Sequence, residues 1–180
     1  YAAFDFAKQK SDGSNEHRTL TAPGFFEDYT DVSAVDLFDW PEPEKYIDPE
    51  ECRKVVEDVP DGYAVLGVVW SAHFQDACAA FGMEDALVKM FIAPDLFKAV
   101  IDKITDFYLR ANEIFYKATQ GKLHAVLIGN DFGSQQGLMV GPEQLRQFVF
   151  DGTRRLVEQA KRYGLKVIHH SCGSIYDIIP

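Results

Sequence analysis

The chain has 180 residues, of which 47% are apolar and 13% aromatic, and its formal net charge is −10. This apolar content is enough for a globular core, and the acidic balance leaves no basic stripe for nucleic acid or an anionic membrane surface. Because no apolar run approaches the roughly 20 residues of a membrane span and residues 1–10 lack the order of a signal peptide, we expect a soluble cytoplasmic protein with a small-molecule substrate.

Residues 1–60 are predicted to form an irregular, acidic N-terminal segment of a larger domain. Turn-forming residues recur in it, as in Ser11–Asn15 and Trp40–Pro43. Asp48 is a candidate N-cap and Pro49 stands at the first helical position, so a short helix is expected toward Glu57.

Three later segments have the pattern of buried parallel strands. Residues 63–70 form a continuous apolar run rich in β-branched side chains, and shorter runs follow at 125–129 and 166–170.

Helical patterns separate and follow these strands. One is predicted after Ser71 through Ala80, a second over residues 83–92, and a long amphipathic helix from Pro94 to a point before Gly121. A further helix is expected to begin at residues 141–143 and end at Gly164, and residues 174–180 have the pattern of another helix beginning.

The alternation of strand and helix predicts an α/β fold built from right-handed βαβ units. Three predicted strands are too few to close a (β/α)8 TIM barrel, so residues 61–180 are interpreted as an incomplete portion of one, truncated at the C-terminus. An open half barrel exposes apolar strand faces, and we therefore expect either oligomerisation, for example as a homo-oligomer, or further residues missing from the structure, rather than a self-sufficient monomer.

The strongest chemical signal is the pair His170 and Cys172 at the end of the third predicted strand. Side chains two residues apart on a strand point the same way, so the imidazole and the thiolate can converge on one metal ion. Zinc suits these ligands, although cobalt or iron would also accept them, and a catalytic site needs about three protein ligands. Candidates for the third ligand are Asp131, His73, Cys78, Cys52 or a residue beyond Pro180. The alternative interpretation is a polar residue and a small buried cysteine that merely end a strand.

Two further groups follow the other strands. Asp131 is a candidate general base, metal ligand or partner of a protonated substrate group, and Ser134 is a candidate cofactor contact. After the first strand, Trp70 is a candidate pocket wall in contact with a cofactor, and His73 is a candidate catalytic hydrogen-bond donor. The plainer interpretations are an Asx turn or helix cap for Asp131 and a structural role for His73.

From about Trp40 to Pro180 the chain resembles the uroporphyrinogen decarboxylase superfamily, whose members are (β/α)8 barrels. The resemblance is carried by residues 39–43, by residues 130–135 followed by 141–145, and most specifically by residues 164–173. The histidine and cysteine of the last segment are similar to those of the zinc-dependent, corrinoid-linked methyltransferase branch.

That resemblance implies His170 and Cys172 as zinc ligands, a third ligand outside this chain and a corrinoid carried by a partner protein. The implied reaction moves a methyl group between a cobamide and a thiol or another small acceptor or donor. The alternative is uroporphyrinogen decarboxylase, but the arginine-containing N-terminal motif of that branch is not recognisable and its tyrosine falls at Cys78. A non-catalytic binding module that pairs through open sheet edges is the second alternative.

Overall fold

The computed structural model describes residues 3–7 and 21–179. The segment before residue 60 contains two 3-10 helices, Val32–Leu37 and Pro43–Lys45, and helix α1, Pro49–Glu57. The Asp48 side chain accepts a hydrogen bond of 2.8 Å from the Glu50 backbone N–H, which confirms the predicted cap of α1. The turn residues Ser11–Asn15 lie outside the described part of the chain.

Three parallel strands form the sheet in the order β1, β2, β3, with bounds Leu66–Val68, Ala125–Gly129 and Lys166–His170. The second and third strands are those predicted, whereas β1 is shorter than the predicted 63–70. β1 pairs only with β2 in the described structure, so pairing limits its length. Before β1, the Val65 N–H is taken by the side chain of His124.

The three helices between β1 and β2 match the predicted ones closely. They are α2, His73–Phe81; α3, Met83–Ile92; and α4, Pro94–Ala118. The described residues thus form a partial α/β fold in which parallel strands alternate with helices.

The predicted helix from residue 141 to Gly164 is divided into three parts. Pro142–Gln144 forms the short α5, Leu145–Val149 forms a π-helical turn, and Phe150–Arg162 forms α6. The Val149 carbonyl at the end of the π turn faces His73 Nε2 at 3.1 Å, a tertiary contact that apolar periodicity does not encode. The helix expected after residue 174 is only a 3-10 turn, Tyr176–Ile178.

The two faces of the sheet differ in their cover. Alternate side chains of the strands point to opposite faces, and Val126 on one face joins Tyr116 of α4 and Ala160 of α6 in a buried cluster. The opposite face carries Leu66, Val68 and Ile168, which are 45%, 52% and 50% exposed. Helices therefore cover one face, and apolar side chains remain exposed on the other, as the half-barrel interpretation expected.

The main core lies among the helices and the N-terminal segment rather than within the sheet. Phe97 of α4 is fully buried and stacks on Phe81 at 5.7 Å between ring centroids, with Phe148 edge-on at 5.3 Å. Phe26 of the N-terminal segment packs against Phe81 as well, at 5.7 Å. In the described structure, no helix combines the length and apolarity needed to cross a membrane.

Replacing Phe97 with alanine should lower the free energy of unfolding by about 3–5 kcal/mol, because the change leaves a cavity between the rings of Phe81 and Phe148. Phe91→Ala is the matched control, since Phe91 is 66% exposed and should change stability by less than about 0.5 kcal/mol. Urea unfolding of both variants measures the difference, and equal effects would contradict this description of the core.

Candidate metal centre

Asp131, His170 and Cys172 bring an oxygen, a nitrogen and a sulfur ligand together. Their ligand atoms all lie within 4.8 Å of one another. His170 Nε2 is 3.3 Å from Cys172 Sγ and 3.4 Å from Asp131 Oδ1. Within the described residues this is the one such group of histidine, cysteine and acidic side chains. A cation placed among them would meet three donor types that zinc accepts.

The parallel sheet explains why these residues meet. Gly129 pairs with His170 at the ends of β2 and β3, so the residues that follow both strands emerge at the same edge. The Cys172 N–H then donates to Asp131 Oδ1 at 2.9 Å. The two strands end at paired residues, and this register brings the residues that follow them together at one edge of the sheet.

Beyond the strand ends, two backbone segments touch. Gly173 has φ of +74°, and a Cβ atom there would overlap the carbonyl group of Gly133. A Cβ atom at Gly133 would in turn lie 2.6 Å from the carbonyl oxygen of Ser174. Two glycines thus let the loop after β3 fold back onto the loop after β2, which holds Cys172 beside Asp131.

Helix α2 holds the end of β2 through its first turn. The Phe74 N–H donates to Asn130 Oδ1 at 2.8 Å, so a side chain from the residue directly after β2 caps this helix. Gln75 Nε2 donates to Asp131 Oδ2, also at 2.8 Å. The Asn130 N–H donates to the His170 carbonyl at 3.1 Å, which links the same point to β3.

The charge of the centre favours a cation. The Asp131 carboxylate accepts a hydrogen bond from the Cys172 thiol and thereby raises the pKa of that thiol above its usual value. Without a metal ion, Cys172 is therefore mainly a protonated thiol at neutral pH. A metal ion would act in the opposite direction, because a coordinating thiol loses its proton.

Trp70 lies directly beside the metal-binding group. Its ring centroid is 5.6 Å from that of His170. A Cβ atom at Gly129 would lie 2.6 Å from the indole, so this glycine makes room for the ring. Trp70 also lines a cavity of about 400 Å³ shared with Tyr46 and Phe107. The indole therefore borders both the candidate ligand His170 and this cavity.

The other two predicted site residues lie apart from the three ligands. His73 is fully buried, and its ring nitrogens face Asn130 Nδ2 at 3.3 Å and the Val149 carbonyl at 3.1 Å. Ser134 is exposed, and its hydroxyl donates to the Gly137 carbonyl at 3.0 Å. The remaining third-ligand candidates are also elsewhere: Cys52 lies on α1, and Cys78 is buried in the core, where desolvation raises its pKa to about 12.

Sequence reasoning did not identify Gln75 or assign a role to Asn130. Asn130 directly precedes Asp131, so its place at a strand end was a usable signal. Gln75 offered none, because it is 56 residues from Asp131 and only the packing of α2 brings the two side chains together.

A family model described as uroporphyrinogen decarboxylase (URO-D) matches residues 20–180. The chain belongs to this family. No curated protein and no solved structure matches the chain significantly. The match covers the strand ends and all three candidate ligands of the URO-D chain, and it supports an enzyme of this superfamily.

Replacing Gly173 with alanine in this URO-D chain should lower the free energy of unfolding by about 3 kcal/mol, because left-handed strain adds to overlap with Gly133. Gly164→Ala is the matched control: its φ is +75°, but a Cβ atom there would have open space. The control should cost only about 1–2 kcal/mol. Thermal unfolding compares the two variants, and an equal loss would mean that the contact between the glycines is unimportant.

Stability should also depend on pH through His73. Burial lowers the pKa of His73 below its ordinary value of 6.5, so the unfolded chain binds a proton that the folded chain excludes. The free energy of unfolding should therefore fall as the pH decreases below about 6.5. The variant His73→Gln should show a shallower decline. Urea unfolding between about pH 7.5 and 5.5 measures both slopes, and parallel curves would contradict the assignment.

Proposed function

We propose that this URO-D family chain carries the metal site of a corrinoid-dependent methyltransferase. The observation that supports it most is the convergence of His170, Cys172 and Asp131 within 4.8 Å at the ends of two parallel strands. Active sites of (β/α) barrels lie at the carboxyl ends of their strands. A metal-binding group at this position suits catalysis better than structural support.

The ligand set fits zinc in a catalytic arrangement. Three protein ligands with one open position are typical of catalytic zinc, whereas structural zinc has four. The sequence resemblance implied a third ligand outside this chain. We assign that place to Asp131, which lies within the chain. The side chains of His170 and Asp131 are 43% and 30% exposed, and Cys172 is also exposed, so a substrate can approach from solvent.

The open position defines the proposed chemistry. Zinc bound there would lower the pKa of an incoming thiol, which makes the thiolate available at neutral pH. The thiolate would then attack the methyl group of a methylcobamide carried by a partner protein. A sulfur–carbon bond would form as the cobalt–carbon bond breaks, and the electron pair of that bond would remain on the cobamide, which leaves as the cob(I) form. A small acceptor or donor of another class would use the same position.

The surrounding residues have distinct proposed roles. Trp70 would form one wall of the substrate site, because its ring lies beside His170 and lines the neighbouring cavity. We assign His73 a positioning role through Asn130, since it is fully buried and cannot contact substrate. Ser134 is exposed on the adjoining loop and would contact the cofactor or its carrier.

Uroporphyrinogen decarboxylation is the second candidate, and the description of the matching family model favours it. A tetrapyrrole with several carboxylates requires cationic partners. Within residues 21–179, however, every arginine lies on a helix, and the strand ends present acidic, imidazole and thiol groups instead. This arrangement supports the methyltransferase over the carboxy-lyase.

The protein should bind about one zinc ion, and His170→Ala, Cys172→Ala and Asp131→Asn should each weaken zinc affinity by roughly 100-fold or more. Competition with a chromophoric chelator measures the affinities. Cys52→Ala is the control, because Cys52 is a free thiol outside the metal-binding group and should leave affinity unchanged.

Activity separates the two reactions. Demethylation of methylcobalamin by a thiol, lost in the His170 and Cys172 variants, is the expected result. Unchanged zinc affinity in those variants would contradict the metal site. Carbon dioxide release from uroporphyrinogen, with no methyl transfer, would favour the decarboxylase instead.

A further inference from the structure

Gln75 is a polar residue on the first turn of α2 that points at the candidate metal centre from outside it. Its Nε2 donates to Asp131 Oδ2 at 2.8 Å, in a part-buried setting. The backbone N–H of the preceding residue, Phe74, donates a hydrogen bond to Asn130 Oδ1. Two consecutive residues of the helix therefore hydrogen-bond to two consecutive residues after β2. The position of the Gln75 side chain is therefore set by the hydrogen bond that holds the preceding residue of the helix to Asn130.

The two oxygens of Asp131 have different partners. Oδ2 is occupied by Gln75, whereas Oδ1 lies 3.4 Å from His170 Nε2 and accepts the Cys172 N–H. Oδ1 is thus the oxygen directed at the other two candidate ligands. Without the bond to Oδ2, rotation of the carboxylate would be restrained only from the side of Cys172.

We infer that Gln75 is a positioning residue that presents Oδ1 of Asp131 to the metal. This inference rests on the proposed function, since it assigns Asp131 as a ligand. Residues that hydrogen-bond to metal ligands fix the ligand orientation, and their loss weakens metal binding by roughly 10- to 100-fold.

The other end of the Gln75 amide supports a role in the site rather than in stability. Its Oε1 is buried and has no hydrogen-bond partner among the described residues. The reverse amide orientation would place Oε1 against the Asp131 carboxylate, so Nε2 must face Asp131. Burial of an unpaired acceptor opposes folding by an amount similar to what the bond from Nε2 contributes. The net effect of Gln75 on stability should therefore be small.

The variant Gln75→Met tests this, because methionine keeps the length of the side chain and removes both polar atoms. We expect zinc affinity to fall by roughly 10- to 100-fold while the unfolding temperature stays unchanged or rises. Cobalt(II) substituted for zinc provides a spectroscopic signature, because its visible absorption intensity reports coordination geometry. That intensity should change in Gln75→Met. Gln136→Met, on the exposed loop after β2, is the matched control and should behave as wild type.

The outcomes distinguish this inference from the proposed function. If the wild type binds zinc and Gln75→Met binds it equally, with the same cobalt spectrum, Gln75 has no positioning role and the metal site stands.

If the wild type binds neither metal ion, the proposed function fails together with the assignment of Asp131 as a ligand, and amide hydrogen exchange tests separately whether Gln75 holds Asp131 in place. The Cys172 N–H donates a hydrogen bond to Asp131. If Gln75 holds Asp131 in place, this N–H should exchange faster in Gln75→Met. Unchanged exchange would overturn the inference.

Discussion

The buried side chain of Asn130 is the point on which the site depends. It is fully enclosed, and its Oδ1 accepts the Phe74 N–H while its Nδ2 faces His73. Its backbone N–H donates to the carbonyl of His170. One residue therefore links α2, β2 and β3, and its removal would leave several buried polar groups unpaired. The next residue is Asp131, so this network fixes where the carboxylate emerges.

Close backbone contact is the second constraint, and it explains the glycines around the site. Gly133 and Gly173 approach so closely that neither tolerates a Cβ atom, and Gly129 makes room for the Trp70 ring. These contacts bring the loops after β2 and β3 together and place an aromatic wall beside His170. The ligands are therefore held by backbone geometry as well as by their own side chains.

The electrostatic character of the centre follows from this enforced proximity. Asp131 raises the pKa of the Cys172 thiol, so the metal-free group keeps a proton that a cation would displace. The exposed face of the sheet that carries Val68 and Ile168 reaches this centre at His170, two residues further along the same side of β3.

The sequence by itself determined the order of strands and helices, the cap of α1 and the pairing of His170 with Cys172. Each of these depends on neighbours within a few residues, which apolar periodicity and turn chemistry record. Periodicity also predicted β1 too long, because strand ends depend on the available partner, and it missed the π turn at Leu145–Val149, which faces His73 across the fold.

Only the tertiary structure decided which candidate lies beside His170 and Cys172 and what holds it there. Nothing in the sequence favoured one candidate third ligand among Asp131, His73, Cys78 and Cys52. The register between β2 and β3 places Asp131 beside His170. His73 and Cys78 are buried away from this group, and the packing of α2 brings Gln75 into contact with Asp131. The physical reason is that a metal site is defined by distances of a few ångströms between residues far apart in sequence, and the folded backbone alone sets those distances.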